Sequence, residues 1–68
     1  MAYCRFGRDS DVYVYDVEDG VECCWCRLRK GRQWLRARTH EAMIHHLLVH
    51  RTAGHKVPEE ALEELRGG

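Results

Sequence analysis

The apolar and polar positions change period once along the chain, and each period predicts a different element. Over 11–17 the sequence DVYVYDV alternates in steps of two, with Val12 and Val14 on one side and Tyr13 and Tyr15 on the other. β-Branched and aromatic residues in that alternation fit a strand with one buried face. Glu18-Asp19-Gly20 supplies a turn in which Gly20 can take a positive φ, and residues 21–24 can return antiparallel to the first strand. The first predicted element is therefore a hairpin over 11–24. A second, shorter hairpin is expected over 27–35 around Lys30-Gly31, with Leu28, Trp34 and Leu35 as its apolar content and the arginines outward.

Past Thr39 the period lengthens. Thr39 suits an N-cap, Glu41 complements the positive end of a helix dipole, and no breaker occurs before Gly54, which predicts a helix over 40–52. On it Met43, His46, Leu47 and His50 recur at i, i+3, i+4 and i+7, so two histidines share the face of the core residues. His40 and His45 point away from that stripe. Gly54 marks a stop, and Val57-Pro58-Glu59-Glu60 marks a second start, with proline at the first helical position. A C-terminal helix over 58–66, burying Ala61, Leu62 and Leu65, completes a small α+β chain. The expected architecture is one domain over 1–68, built as a ββα-like unit with an arginine-rich insert over 27–38 and a short terminal helix.

Size then asks what holds such a fold together. A chain of 68 residues buries only about 60% of the surface its unfolded form exposes, and domains this small commonly need a disulfide, a metal or a partner. Four cysteines and five histidines are available. MAYCRFGRDS shows no apolar signal-peptide core, so reduced thiols and a cytoplasmic location are expected. No apolar run approaches the roughly 18 residues that span a bilayer, so no membrane association is expected. Eleven basic and eleven acidic side chains cancel, but their order is acidic, basic, acidic, with Arg27, Arg29, Lys30, Arg32, Arg36 and Arg38 filling the middle.

The cysteines and histidines carry the chemistry. Cys23-x2-Cys26 lets a tight turn aim two sulfurs at one ion, and His46-x3-His50 projects two imidazoles from one helix face, a complete tetrahedral set for one structural Zn²⁺. Cys24 and His55 are alternates for Cys23 and His50. Cys24-x-Cys26 lacks the turn that wraps an ion, which favours Cys23. Cys4 reads as a core or exposed thiol. A disulfide fits less well, since adjacent Cys23 and Cys24 face opposite ways in a strand.

These residues resemble the Cys2His2 zinc finger, in which a hairpin bearing Cys-x-x-Cys packs on a helix bearing His-x3-His. The resemblance covers residues 21–50. It departs in spacing: the family places about twelve residues between its second cysteine and first histidine, and here residues 27–45, nineteen in all, intervene. More specifically, MAYCRFGRDSDVYVYDV, ECCWC and HLLVHRTAGHKVPEEALEEL are similar to short zinc-finger-like proteins of actinobacterial phages, a resemblance that implies zinc and a small-phage-protein context without supplying a function.

Finger-type docking would put Thr39, Ala42 and His45 at the base-reading positions, and none of them makes the bidentate contacts of arginine, asparagine or glutamine. The expected function is therefore a zinc-stabilised interaction module that binds a host protein through the arginine segment, Trp25 or the terminal helix. The alternative is nucleic-acid binding without strong sequence specificity, through Arg27, Arg29, Lys30, Arg32, Arg36 and Arg38, with Trp34 stacking on a base. Catalysis and a small-molecule substrate are not expected: four protein ligands close the zinc shell, and no nucleophile with a base at motif spacing or phosphate-cradling loop occurs.

Overall fold

Strand pairing follows chain order. The computed structural model describes residues 2–26, 28 and 34–67. Strands β1 (Ala2–Cys4), β2 (Tyr13–Val17), β3 (Gly20–Cys24) and β4 (Leu35–Ala37) form one antiparallel sheet in the order β1-β2-β3-β4, followed by helices α1 (His40–Thr52) and α2 (Glu59–Gly67). The α+β class stands as read from the sequence, with two strands more than the predicted hairpin.

The alternation in 11–17 decides which face of the sheet is covered. Val14 of β2, Val21 and Cys23 of β3 and Ala37 of β4 are buried, and they meet Met43 and Leu47 of α1 and Leu62 and Leu65 of α2. Tyr13 and Tyr15 fall on the other face. Both helices pack on the same side, α1 over β3 and β4, α2 over β1. Among the described residues no helix is long and apolar enough to cross a membrane.

The short outer strands were beyond a local reading. Strand β1 pairs at Ala2↔Tyr15 and Cys4↔Val14 with an irregular register, and β4 pairs with β3 from Val21↔Ala37 to Cys23↔Leu35. The turn of the expected second hairpin, Lys30-Gly31, lies outside the described residues. Strand β4 begins only at Leu35, where that hairpin was expected to end.

Thr39 caps α1 as its side chain allows, its hydroxyl accepting from the Ala42 N–H at 3.0 Å. Pro58 stands one residue ahead of α2 rather than at its first position, and its carbonyl accepts from the Ala61 N–H at 3.2 Å. The segment between the helices is pinned from two sides. Asp11 exchanges two bonds with Lys56, N–H to carbonyl at 2.8 Å and carboxylate from N–H at 2.7 Å, while Arg51 donates to the Val57 carbonyl at 2.7 Å.

Gly20 is fixed by space as well as by its turn. Its φ is +154°, and a Cβ there would lie 2.1 Å from the Ala37 carbonyl oxygen, backbone that cannot step aside without breaking the β3–β4 pairing. Gly20→Ala is expected to lower stability by about 2 kcal/mol or more, within the range of strained or overpacked sites. A urea midpoint unchanged from the parent protein would contradict this account of the turn.

Candidate metal centre

Two local devices aim four side chains at one point. Cys23 ends the buried row of β3, and Trp25 then takes φ +50°, a left-handed conformation that turns the chain back so that Cys26 also faces inward. Non-glycine residues seldom adopt it, because Cβ crowds the following carbonyl. From the helix side, His46 and His50 lie one turn apart on α1, on the face that carries Met43 and Leu47.

The four donor atoms all lie within 4.8 Å of one another. Cys26 Sγ is 3.3 Å from His46 Nε2 and 3.4 Å from His50 Nε2, Cys23 Sγ is 3.7 Å from His50 Nε2, and the two Nε2 atoms are 3.1 Å apart. A tetrahedral ion with ordinary Zn–S and Zn–N lengths spaces sulfur and nitrogen by about 3.6 Å and two nitrogens by about 3.3 Å. These four separations match those edges within a few tenths of an ångström. Cys23, Cys26 and His50 are buried and His46 is partly so. The set can hold a metal ion.

Electrostatics fit the same reading. Burial, reinforced by the neighbouring Cys26 sulfur, pushes the Cys23 thiol well above its ordinary range. Burial also lowers His50 to about 4, helped by the rings of His46 and His55 and opposed weakly by Asp11. The imidazole is thus neutral at physiological pH and ready as a ligand, whereas Cys23 holds its proton until a cation displaces it.

His55 takes a role that the sequence reading did not assign. Weighed there as an alternate ligand, it instead meets the outer nitrogen of His50, Nδ1 to Nδ1 at 2.8 Å. The close of α1 puts it there. The His55 N–H bonds the His50 carbonyl at 2.9 Å and the Gly54 N–H bonds the Arg51 carbonyl at 3.0 Å, the paired bonds of a Schellman cap, with Gly54 at φ +92°. With an ion on His50 Nε2, Nδ1 would carry the proton and could donate it to His55 Nδ1, fixing tautomer and ring orientation as outer partners of metal-bound histidines do. The signal was in the sequence: HRTAGH puts a glycine just before a histidine at the predicted end of a helix.

The other candidates lie elsewhere. Cys24 is half-buried opposite Tyr13 on the far face of the sheet. Cys4 is half-buried in β1, its thiol raised by burial against bonds from Ser10 and Val14 that lower it. His40 meets the Tyr3 hydroxyl at 3.2 Å, and His45 is exposed. Arg36 pairs with Glu22 at 3.4 Å and Arg38 is exposed. Trp25 and Trp34 are exposed with their rings 5.8 Å apart. Arg27, Arg29, Lys30 and Arg32 lie outside the described residues.

No protein-family model, curated protein or solved structure matches this chain.

Metal content separates the roles. Cys26→Ala and His46→Ala are expected to lose the ion, while His45→Ala and Cys4→Ala retain it. His55→Ala should weaken affinity by roughly 10- to 100-fold without abolishing binding, the range for removing an outer hydrogen-bond partner. Competition with a chromophoric chelator reads all five, and equal affinity across them would refute the assignment.

Proposed function

We propose that the chain is a zinc-stapled interaction module, in which one Zn²⁺ at Cys23, Cys26, His46 and His50 is structural and the working surface lies outside the metal site. The observation that carries it is the closure of the donor set: two thiols and two imidazoles at tetrahedral spacing, mostly buried. Two sulfurs with two nitrogens favour zinc among the common divalent ions, and four protein ligands leave no position for a reacting water. The chemistry of the residues therefore favours stabilisation over catalysis.

The module resembles a Cys2His2 finger in its parts, with Cys-x-x-Cys at the end of a hairpin and His-x3-His on the helix that follows. It is built out by β1, β4 and α2, which give the sheet two more strands and cover the core with a second helix. Helix α1 presents Thr39, Ala42 and His45 where a finger would read bases, and these side chains supply little direct readout. Recognition of a macromolecular partner falls to another surface.

Structural zinc in finger peptides is worth roughly 10 to 16 kcal/mol of apparent binding free energy near neutral pH, more than a domain of this size holds in reserve. Native mass spectrometry should find one zinc per chain, and a strong chelator should unfold the protein cooperatively. A chain that keeps its far-UV and near-UV circular dichroism after complete zinc removal would count against the proposal.

Acid should act in two stages. The loaded donors bind no protons, whereas the unfolded chain takes up thiol protons below about pH 8.5 and imidazole protons below about 6.5. In the ion-free chain the folded His50 value of about 4 lies below the unfolded one, so there its contribution is complete above about 6.5 and is lost as pH falls through about 4. The denaturation midpoint of the loaded protein should decline gently from about 8.5 to 6.5 and more steeply below, the second stage weakening in His46→Cys.

A further inference from the structure

The two helices cover one side of the sheet and leave the other to solvent, and the strand alternation loads that open side with rings. Tyr13 and Tyr15 of β2 stand on it edge to face, with centroids 5.3 Å apart, and Phe6 packs against Tyr13 at 5.6 Å. Across the sheet Tyr13 pairs with Cys24, and Tyr15 pairs with Glu22, which pairs in turn with Arg36. Trp34 precedes β4 by one residue and shares the parity of Arg36. Its indole is 52% exposed and touches that of Trp25, itself 44% exposed, while Phe6 is 46% exposed. A shallow hollow of about 450 Å³ opens among Ala2, Arg5, Tyr13, Tyr15, Asp16 and Cys24.

We infer that this open sheet face binds single-stranded nucleic acid, bases stacking on the exposed rings and phosphates meeting Arg5 and the basic residues that the sequence carries between Trp25 and Arg38. The inference rests on the reading of the chain as a zinc-stapled module, and it names the partner class of that module. Three observations lead to it.

The first is charge. Residues 27–38 hold six lysines and arginines and no acid, and this segment starts next to Trp25 and contains Trp34, so the contact between the two indoles brings its flanks together. On that face Glu22 is already engaged: it accepts from the Tyr15 hydroxyl at 2.7 Å and from Arg36 at 3.4 Å. Arg5 is exposed at the edge of the hollow. Exposed rings with Arg5 beside them and a basic stretch of sequence between them fit a polyanion with exposed π-faces better than an acidic or neutral protein surface.

The second is backbone conformation. Trp25 sits at φ +50°, where glycine would be unstrained, and an unfavourable conformation kept by a large exposed residue points to use of the side chain. The third is geometry. Duplex DNA hides the faces of its bases, and only an unpaired strand can lay them on flat rings, while the edges of a duplex would have to be read by the poor set on α1.

The test uses zinc-loaded, full-length protein and fluorescence anisotropy with labelled oligo-dT and oligo-U of about 12 nucleotides, a length suited to a small stacking surface. A duplex of equal length is the comparison, over salt from about 20 to 300 mM. Single strands should bind more tightly than the duplex, with affinity falling as salt rises. Trp34→Ala and Phe6→Ala, both at exposed positions, should each weaken binding by roughly tenfold, the scale of one lost stacking contact, with zinc content unchanged. Leu48→Ala and Val49→Ala, on the exposed side of α1, should leave binding as it was.

No binding at the lowest salt overturns the inference and assigns the face to a protein partner. Binding indifferent to Trp34→Ala and Phe6→Ala, or equal for duplex and single strand, overturns it in favour of charge attraction alone. Zinc content separates this failure from the other: one ion per chain without strand binding sinks only the face, whereas stacking-dependent binding by a chain that retains no zinc sinks only the staple.

Discussion

Everything in this fold turns on bringing two sulfurs from the end of a strand against two imidazoles from one side of a helix. Cys23, Cys26 and His50 are buried within the same layer as Met43 and Leu47, and polar groups there are costly unless something binds them. Hydrocarbon alone gives such a cluster no reason to converge. An ion shared by the four donors would, and it would tie sheet end to helix middle at a single point. The Schellman cap extends that control by one layer, since the turn that ends α1 also carries the His55 ring that meets His50 Nδ1.

The same arrangement explains why the sheet has two unlike faces. With α1 aimed at the thiols and α2 folded back by the Asp11–Lys56 and Arg51–Val57 bonds, both helices occupy one side. Val14, Val21 and Cys23 disappear beneath them, and the tyrosines between the valines of β2 are left outward. A half-buried tyrosine on an open sheet can be no more than a cross-strand packing residue, and Tyr15 bonded to Glu22 fits that description. Phe6, Trp25 and Trp34 do not. Their exposure leaves apolar area in water that a domain with so little core would otherwise use.

What the sequence disclosed, it disclosed through local periods. The valine and tyrosine alternation placed the first hairpin, the Thr39 cap and the i, i+4 histidines placed α1, and Cys-x-x-Cys announced a turn. Each depends on residues within a few positions of one another. Strands β1 and β4 span three residues each, too few to show a period, and they exist because partners far along the chain await them, Tyr15 for Ala2 and Val21 for Ala37. His55 was visible as a histidine of interest, but its part was not. Whether it ligates or supports a ligand depends on the helix cap that turns its ring toward the outer nitrogen of His50.

Trp25 joins the two halves of the account. The turn that returns Cys26 to the donor cluster puts one residue in the left-handed region, and the cost for a residue with a side chain is roughly 1–2 kcal/mol. Glycine would remove that cost and leave both sulfurs where they are. At the surface its indole meets that of Trp34. The metal site and the open face thus share a residue: its backbone sets the second thiol and its side chain forms part of the aromatic patch.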